Sequence, residues 1–211
     1  MSTTTTPPAG LEKHKPAALY DRDTYSWSVD QAGALRRRDY AAVDWDNVIE
    51  EIESVGRSEE HSWTSHCARA IRHLLKIEHC REAALSTLEG WEGEVQDARG
   101  DMSDVIVNNR GLQSKYPSMF ASAWRTARRK ACRELAQYDV ENKLQSDKRH
   151  AEKRRNLMLP RSCPYRFEDV TAFELKRGDK NPQHDPDRLP PQVAQVLEER
   201  RNRSQDLDWS R

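Results

Sequence analysis

One apolar stripe constrains this chain more than any other feature. Ile49, Ile52, Gly56, Trp63, Cys67, Ala70, Leu74 and Ile77 follow one another at steps of three, four or seven residues. Those steps keep every side chain on one face of an α-helix, because residues three and four apart lie one above the other. The register does not change at Gly56. The spacing therefore predicts one helix over roughly Asp46 to Cys80, about 50 Å long at ~1.5 Å per residue, with Gly56 giving a neighbouring element close approach. A helix of that length needs partners along its apolar face, so the rest of the chain must supply other helices.

Three further segments have this character. "SVDQ" has capping-box spacing, with the Ser28 hydroxyl and Gln31 at the two ends. Val29, Ala32 and Leu35 follow as a short stripe, closed by the basic run Arg36 to Arg38. Ser86 and Glu89 repeat the box before Leu88, Trp91, Val95, Ala98, Met102 and Val105, which step 3-4-3-4-3. Gly111 stands in the position of a left-handed cap. Pro117 suits a first helical turn, and Phe120, Ala123, Trp124, Ala127, Ala131, Leu135 and Tyr138 form the stripe after it. No stretch alternates at period two. These patterns predict an all-α fold, an antiparallel four-helix bundle with flexible N- and C-terminal extensions.

Composition sets the limits of that core. Of 211 residues 36% are apolar, and the mean hydropathy is −1.01, low for a chain that is globular throughout. The apolar residues are concentrated in 19–173. Residues 1–18 read as a polar arm. Residues 174–211 read as a polar tail carrying a short helix over 191–203, which must dock or fray. A polar insert, 139–156, either extends the fourth helix or forms an arm. Thirty-five basic and 35 acidic residues balance, so no global charge points to nucleic acid or to an anionic membrane. No apolar run is long enough to span a bilayer, and the N-terminus has no secretory pattern. Four scattered cysteines, Cys67, Cys80, Cys132 and Cys163, form no zinc-type pair. Cys67 and Cys132 fall in apolar stripes. A reducing cytoplasm is the expectation, with no membrane and no cofactor.

"LYDRDTYSWSVDQAGALRRRDYAAVDWDNVIEEIESVGRSE", "HLLK" and "CPYRFEDV" resemble the DUF29 family. Tyr25, Trp27, Asp44, Glu50, Glu51, Ser54 and Gly56 stand where the first family pattern places them. His73, Leu74, Leu75 and Lys76 carry the second, and Cys163, Pro164 and Tyr165 the third. The resemblance covers roughly Leu19 to Val170. It implies a helical bundle and assigns no activity, so the roles of Tyr25, Trp27, Asp44, Glu50, Glu51, Gly56, His73 and Lys76 are open.

The residues offer three chemical readings. In "EEIE", only Glu50 and Glu53 have the spacing to converge on one point, with Asp101 and Asp104 as potential acids from the next helix; this is the pattern of a metal-dependent phosphohydrolase. The plainer reading is acids favouring a helix dipole, with Glu53 and Arg57 as an i,i+4 pair. That reading predicts no metal. His66 and His73 lie two turns apart, about 10 Å, too far for one ion, and His73 is expected to hydrogen-bond across helices. Basic helices supply the second reading. Arg125, Arg129 and Arg133 share a face and are expected to pair with the acidic start of the long helix. Lys148, Arg149, Lys153, Arg154 and Arg155 have no evident acidic partner and are candidates for phosphate or nucleic-acid binding. The third reading is favoured: a non-catalytic module acting by helix–helix contact with itself or with a protein partner. No nucleophile elbow, Gly-rich phosphate loop or paired catalytic base speaks for an enzyme.

Overall fold

A computed structural model describes residues 19–172 and 188–208, with side chains to 204. The N-terminal arm and much of the expected C-terminal tail lie outside the described residues. Those described are all-α, with no strand among them. Seven helices lie wholly among the described residues: α1 Thr24–Arg37, α2 Trp45–His79, α3 Leu85–Asn108, α4 Tyr116–Glu141, α5 Lys148–Met158, α6 Phe167–Thr171 and α7 Pro191–Asp208. Short 3-10 turns, Tyr40–Ala42 and Arg110–Lys115, precede α2 and α4. The chain divides into two compact units, Met1–Arg57 and Ser58–Arg211, with the boundary inside α2.

In the first unit, the N-cap of α1 stands five residues earlier than the expected Ser28. Asp23 is its N-cap, accepting from the Ser26 backbone N–H at 3.0 Å, while the Ser28 hydroxyl donates to the Tyr25 carbonyl. The carboxylate outcompetes the expected Ser28 box, since a charged acceptor makes the stronger bond at a free helix N–H. The buried face is consequently Trp27, Gln31 and Ala34, not Val29 and Leu35, which stand exposed. Arg38 ends the helix in the left-handed region, φ 59°.

The second unit holds the main core. Trp63, Cys67, Ala70, Leu74 and Ile77 of α2 are fully buried, against Leu88, Val95, Ala98 and Met102 of α3 and Ala123, Ala127, Ala131 and Leu135 of α4. Trp63, Tyr116 and Phe167 stack at 5.2–5.9 Å between centroids. Burial pushes the thiols of Cys67, Cys80, Cys132 and Cys163 up, as for small inert hydrophobes. Neither the Ser86 box nor the Gly111 cap forms. α3 has Ala84 as N-cap, and Asn109 ends it, its side-chain amide donating to Val105 O and to Glu59 Oε2.

The polar insert is a folded part of this unit. α4 runs into it as far as Glu141, and after a turn α5 packs back on α4. Arg155 of α5 and Asp139 of α4 are buried against each other. Arg155 Nε donates to Asp139 Oδ2 at 2.7 Å, Nη2 to Oδ1, and Nη1 to the His79 carbonyl at 2.6 Å. The expected C-terminal helix runs longer than 191–203 and docks. Val193 and Leu197 are buried, and Arg201 donates to Glu92 at 2.7 Å. Arg99, fully buried in α3, ties down α6 through the carbonyls of Asp169 and Val170, and the chain before α7 through that of Arg188.

Candidate interaction surfaces

The first unit is organised around Asp44. Its carboxylate accepts from Trp27 Nε1 at 3.2 Å and Asn47 Nδ2 at 2.8 Å, and its backbone N–H donates to Gln31 Oε1 at 2.7 Å. Tyr20 packs edge-on to Trp27 and donates to Glu51 Oε1 at 2.6 Å. Trp27, Asp44 and Glu51 thus lock the start of α2 onto α1. Glu50 and Glu53 point elsewhere, and both accept from Arg57, at 2.5 and 3.3 Å. The acids of "EEIE" are therefore divided between Tyr20 and Arg57. No group of three or more His, Cys, Asp or Glu among the described residues is arranged to hold a metal ion.

The start of the long stripe is not buried. Ile49, Ile52 and Val55 are 51%, 68% and 64% exposed, and Trp45 46%. They continue the register of Trp63, Cys67 and Leu74 at steps of four, three and three from Trp45, and Tyr40 lies beside Trp45, 6.3 Å between rings. The expected buried stripe holds from Trp63 to Ile77 and fails at Ile49 and Ile52, because periodicity does not say what covers a face. A Cβ at Gly56 would meet nothing within 4 Å, so the close approach expected there does not occur. Tyr25 is 79% exposed.

His73 and Lys76 belong to a charged layer in the second unit. Lys76 donates to Glu134 of α4 at 3.0 Å and lies 4.5 Å over the Trp91 ring. Arg72 reaches the other Glu134 oxygen at 3.1 Å. Asp101 of α3 accepts from Arg69 and faces His66. His73 is buried and does not hydrogen-bond across helices. Its Nε2 lies 2.9 Å from Arg72 Nη2 on the same helix. A guanidinium only donates, so Nε2 accepts and the proton sits on Nδ1, which has no partner. Burial, then the charges of Lys76, Arg72 and Arg69, lower the His73 pKa to about 3. In the third sequence motif, Tyr165 donates to Glu78 at 2.8 Å, and Arg166 forks onto Asp169 at 3.1 Å. Sequence reasoning missed Arg99, Asp139 and Asp169, because a buried charge is visible only once its partners are placed.

The basic residues separate into two groups. Arg155 faces inward, as above. Lys148, Arg149, Lys153 and Arg154 are exposed on α5. Arg129 and Arg133 line a groove with Arg149 and Lys153.

An all-helical fold whose motif residues mostly hold helix to helix defines a class of helical protein with no assigned chemistry. The chain belongs to the family described as domain of unknown function DUF29, whose model matches residues 19–174. No curated protein and no solved structure matches it.

Proposed function

We propose that the first unit is a non-catalytic docking module, and that Trp45, Ile49, Ile52 and Val55 receive an amphipathic helix from a partner protein. The observation that carries this is the exposure of four large apolar side chains at helical spacing on one face of α2. Such faces mark interaction sites, and a tryptophan with aliphatic neighbours suits a central anchor. At about 100° per residue, Asp46, Glu50 and Glu53 form an acidic edge along the face, relieved only by Arg57. The complementary occupant is a helix with an apolar stripe and a Lys/Arg flank. A second copy fits poorly, since two-fold antiparallel pairing of this face sets acidic edge against acidic edge. Free thiols at all four cysteines support a reducing compartment such as the cytoplasm.

The test is a photo-crosslinking amino acid at Ile52, used in the native cells, with the crosslinked peptide sequenced. The expected product is a peptide of another protein with apolar residues at three- and four-residue steps and a basic flank, lost on Trp45→Ala. A crosslink to this chain itself, to an acidic or irregular segment, or no crosslink at all overturns the proposal.

A further inference from the structure

The groove between α4 and α5 gathers cations that the fold does not use. Arg129 and Arg133 line it from α4, and Arg149 and Lys153 from α5, around a cavity of ≈ 450 Å³. No side chain of the four makes a hydrogen bond or ion pair among the described residues. Arg128, also at the groove, is held by the Pro160 carbonyl at 2.7 Å and by Asn156 at 2.8 Å. The one carboxylate in the lining is Glu152. This concentration occurs on a chain whose formal net charge is zero.

Within each helix the free cations are four residues apart, a spacing at which like charges destabilise a helix. Across the groove the two rows face one another with a single acid between them. Folding is served by Arg155, which is buried with Asp139 two residues from Lys153; it gains nothing from the four exposed cations. Their arrangement is favourable only with an external anion present, one that offers several charges along a line. Each row spans ~6 Å at the helical rise.

We propose that this groove binds the phosphodiester backbone of a nucleic-acid duplex without reading its sequence. The chemistry of the lining makes the choice. No aromatic side chain is present on which unpaired bases would stack, as single-strand grooves require. Only Leu157 and Met158 stand exposed and apolar on α5, far short of the apolar face that enters a bilayer interface. Guanidinium groups, in contrast, fork onto phosphate oxygens and position a backbone without base contacts. The site lies wholly in the second unit and does not depend on the docking face proposed for the first.

The experiment is fluorescence anisotropy of the full chain with labelled mixed-sequence duplexes of DNA and of RNA, in about 50 mM salt and upward. Four backbone contacts predict a log–log salt slope of about −3 to −4. Arg133→Glu with Arg149→Glu should weaken binding at least about tenfold, and Arg149→Ala alone should flatten the slope by about one. Arg149→Lys, which keeps the charge, should retain binding. Reversal of Arg36 and Arg37 in the first unit should leave it unchanged. Circular dichroism of each variant separates lost binding from lost fold, and Arg149→Ala, on an exposed position, supplies the result if the double reversal unfolds. Binding of either duplex type with these responses sustains the proposal. No binding at the lowest salt, indifference to the groove variants, tighter binding of single strands than of duplexes, or binding of anionic lipid vesicles alone overturns it.

Discussion

His73 is a buried base held neutral. Its folded pKa is lowered to about 3, first by burial and then by Lys76, Arg72 and Arg69, with Glu94 of α3 at 3.9 Å from Nε2. The unfolded histidine titrates near ~6.5. Between those values the unfolded chain binds the extra proton, so stability is fully present above pH ~6.5 and falls as pH drops toward about 3. The loss should reach about 1.4 kcal/mol per pH unit in that window. Urea unfolding at several pH values should show this slope, and His73→Gln should reduce it. A variant with an unchanged slope would mean that other groups carry the acid sensitivity. Two further residues test the stripe. Leu74→Asp buries an unpaired charge among α3 and α4 and should cost at least about 4 kcal/mol, enough to unfold the second unit. Ile52→Asp changes an exposed position and should cost under about 1 kcal/mol. Sequence periodicity treats the two residues alike. Melting followed by circular dichroism distinguishes them, and equal losses would show that the α2 face is covered at both places.

At the scale of elements, α5 is anchored on α4 by the buried Arg155–Asp139 pair, with Arg128 donating to Asn156 nearer its end. Its sequence "KRHAEKRR" has little apolar content, and Ala151 and Arg155 are its only buried residues. An 11-residue helix of that composition does not persist by propensity. The fork from Arg155 to Asp139, with the bond to the His79 carbonyl, orients it against α4. Asp139→Ala would leave the guanidinium buried with only Glu82, at 3.8 Å, as a counter-charge, at a cost of about 3 kcal/mol. Replacing both partners, Asp139→Leu with Arg155→Met, should recover most of that loss, because two apolar groups need no solvation. Hydrogen exchange over 148–158 reads the effect directly: protection lost in the single variant and regained in the double. Loss in both would assign the pair a directional role that apolar packing cannot replace. The sequence showed Arg155 only as one of five cations, since nothing local distinguishes the residue whose partner lies 16 positions back.

For the whole molecule, what could be read in advance followed from periodicity. The all-α class, the extent of the long helix to within a residue or so, and the stripes of α3 and α4 all rest on 3.6-residue geometry, which a local pattern carries by itself. Family motifs likewise located Trp27, Asp44, His73, Lys76 and Tyr165 before their contacts were known. Caps were less legible, because Ser28 and Ser86 compete with other local acceptors and donors, and small energies decide the outcome. Burial was the least legible. Trp63 and Ile52 share a face, yet one is in the core and the other in solvent. Cations of α4 and α5, separated by a turn in sequence, meet in one groove. Amphipathicity states which side of a helix favours an apolar neighbour. Only the tertiary structure decides whether a neighbour arrives, because coverage depends on long-range packing and the placement of buried charges, which no window of sequence contains.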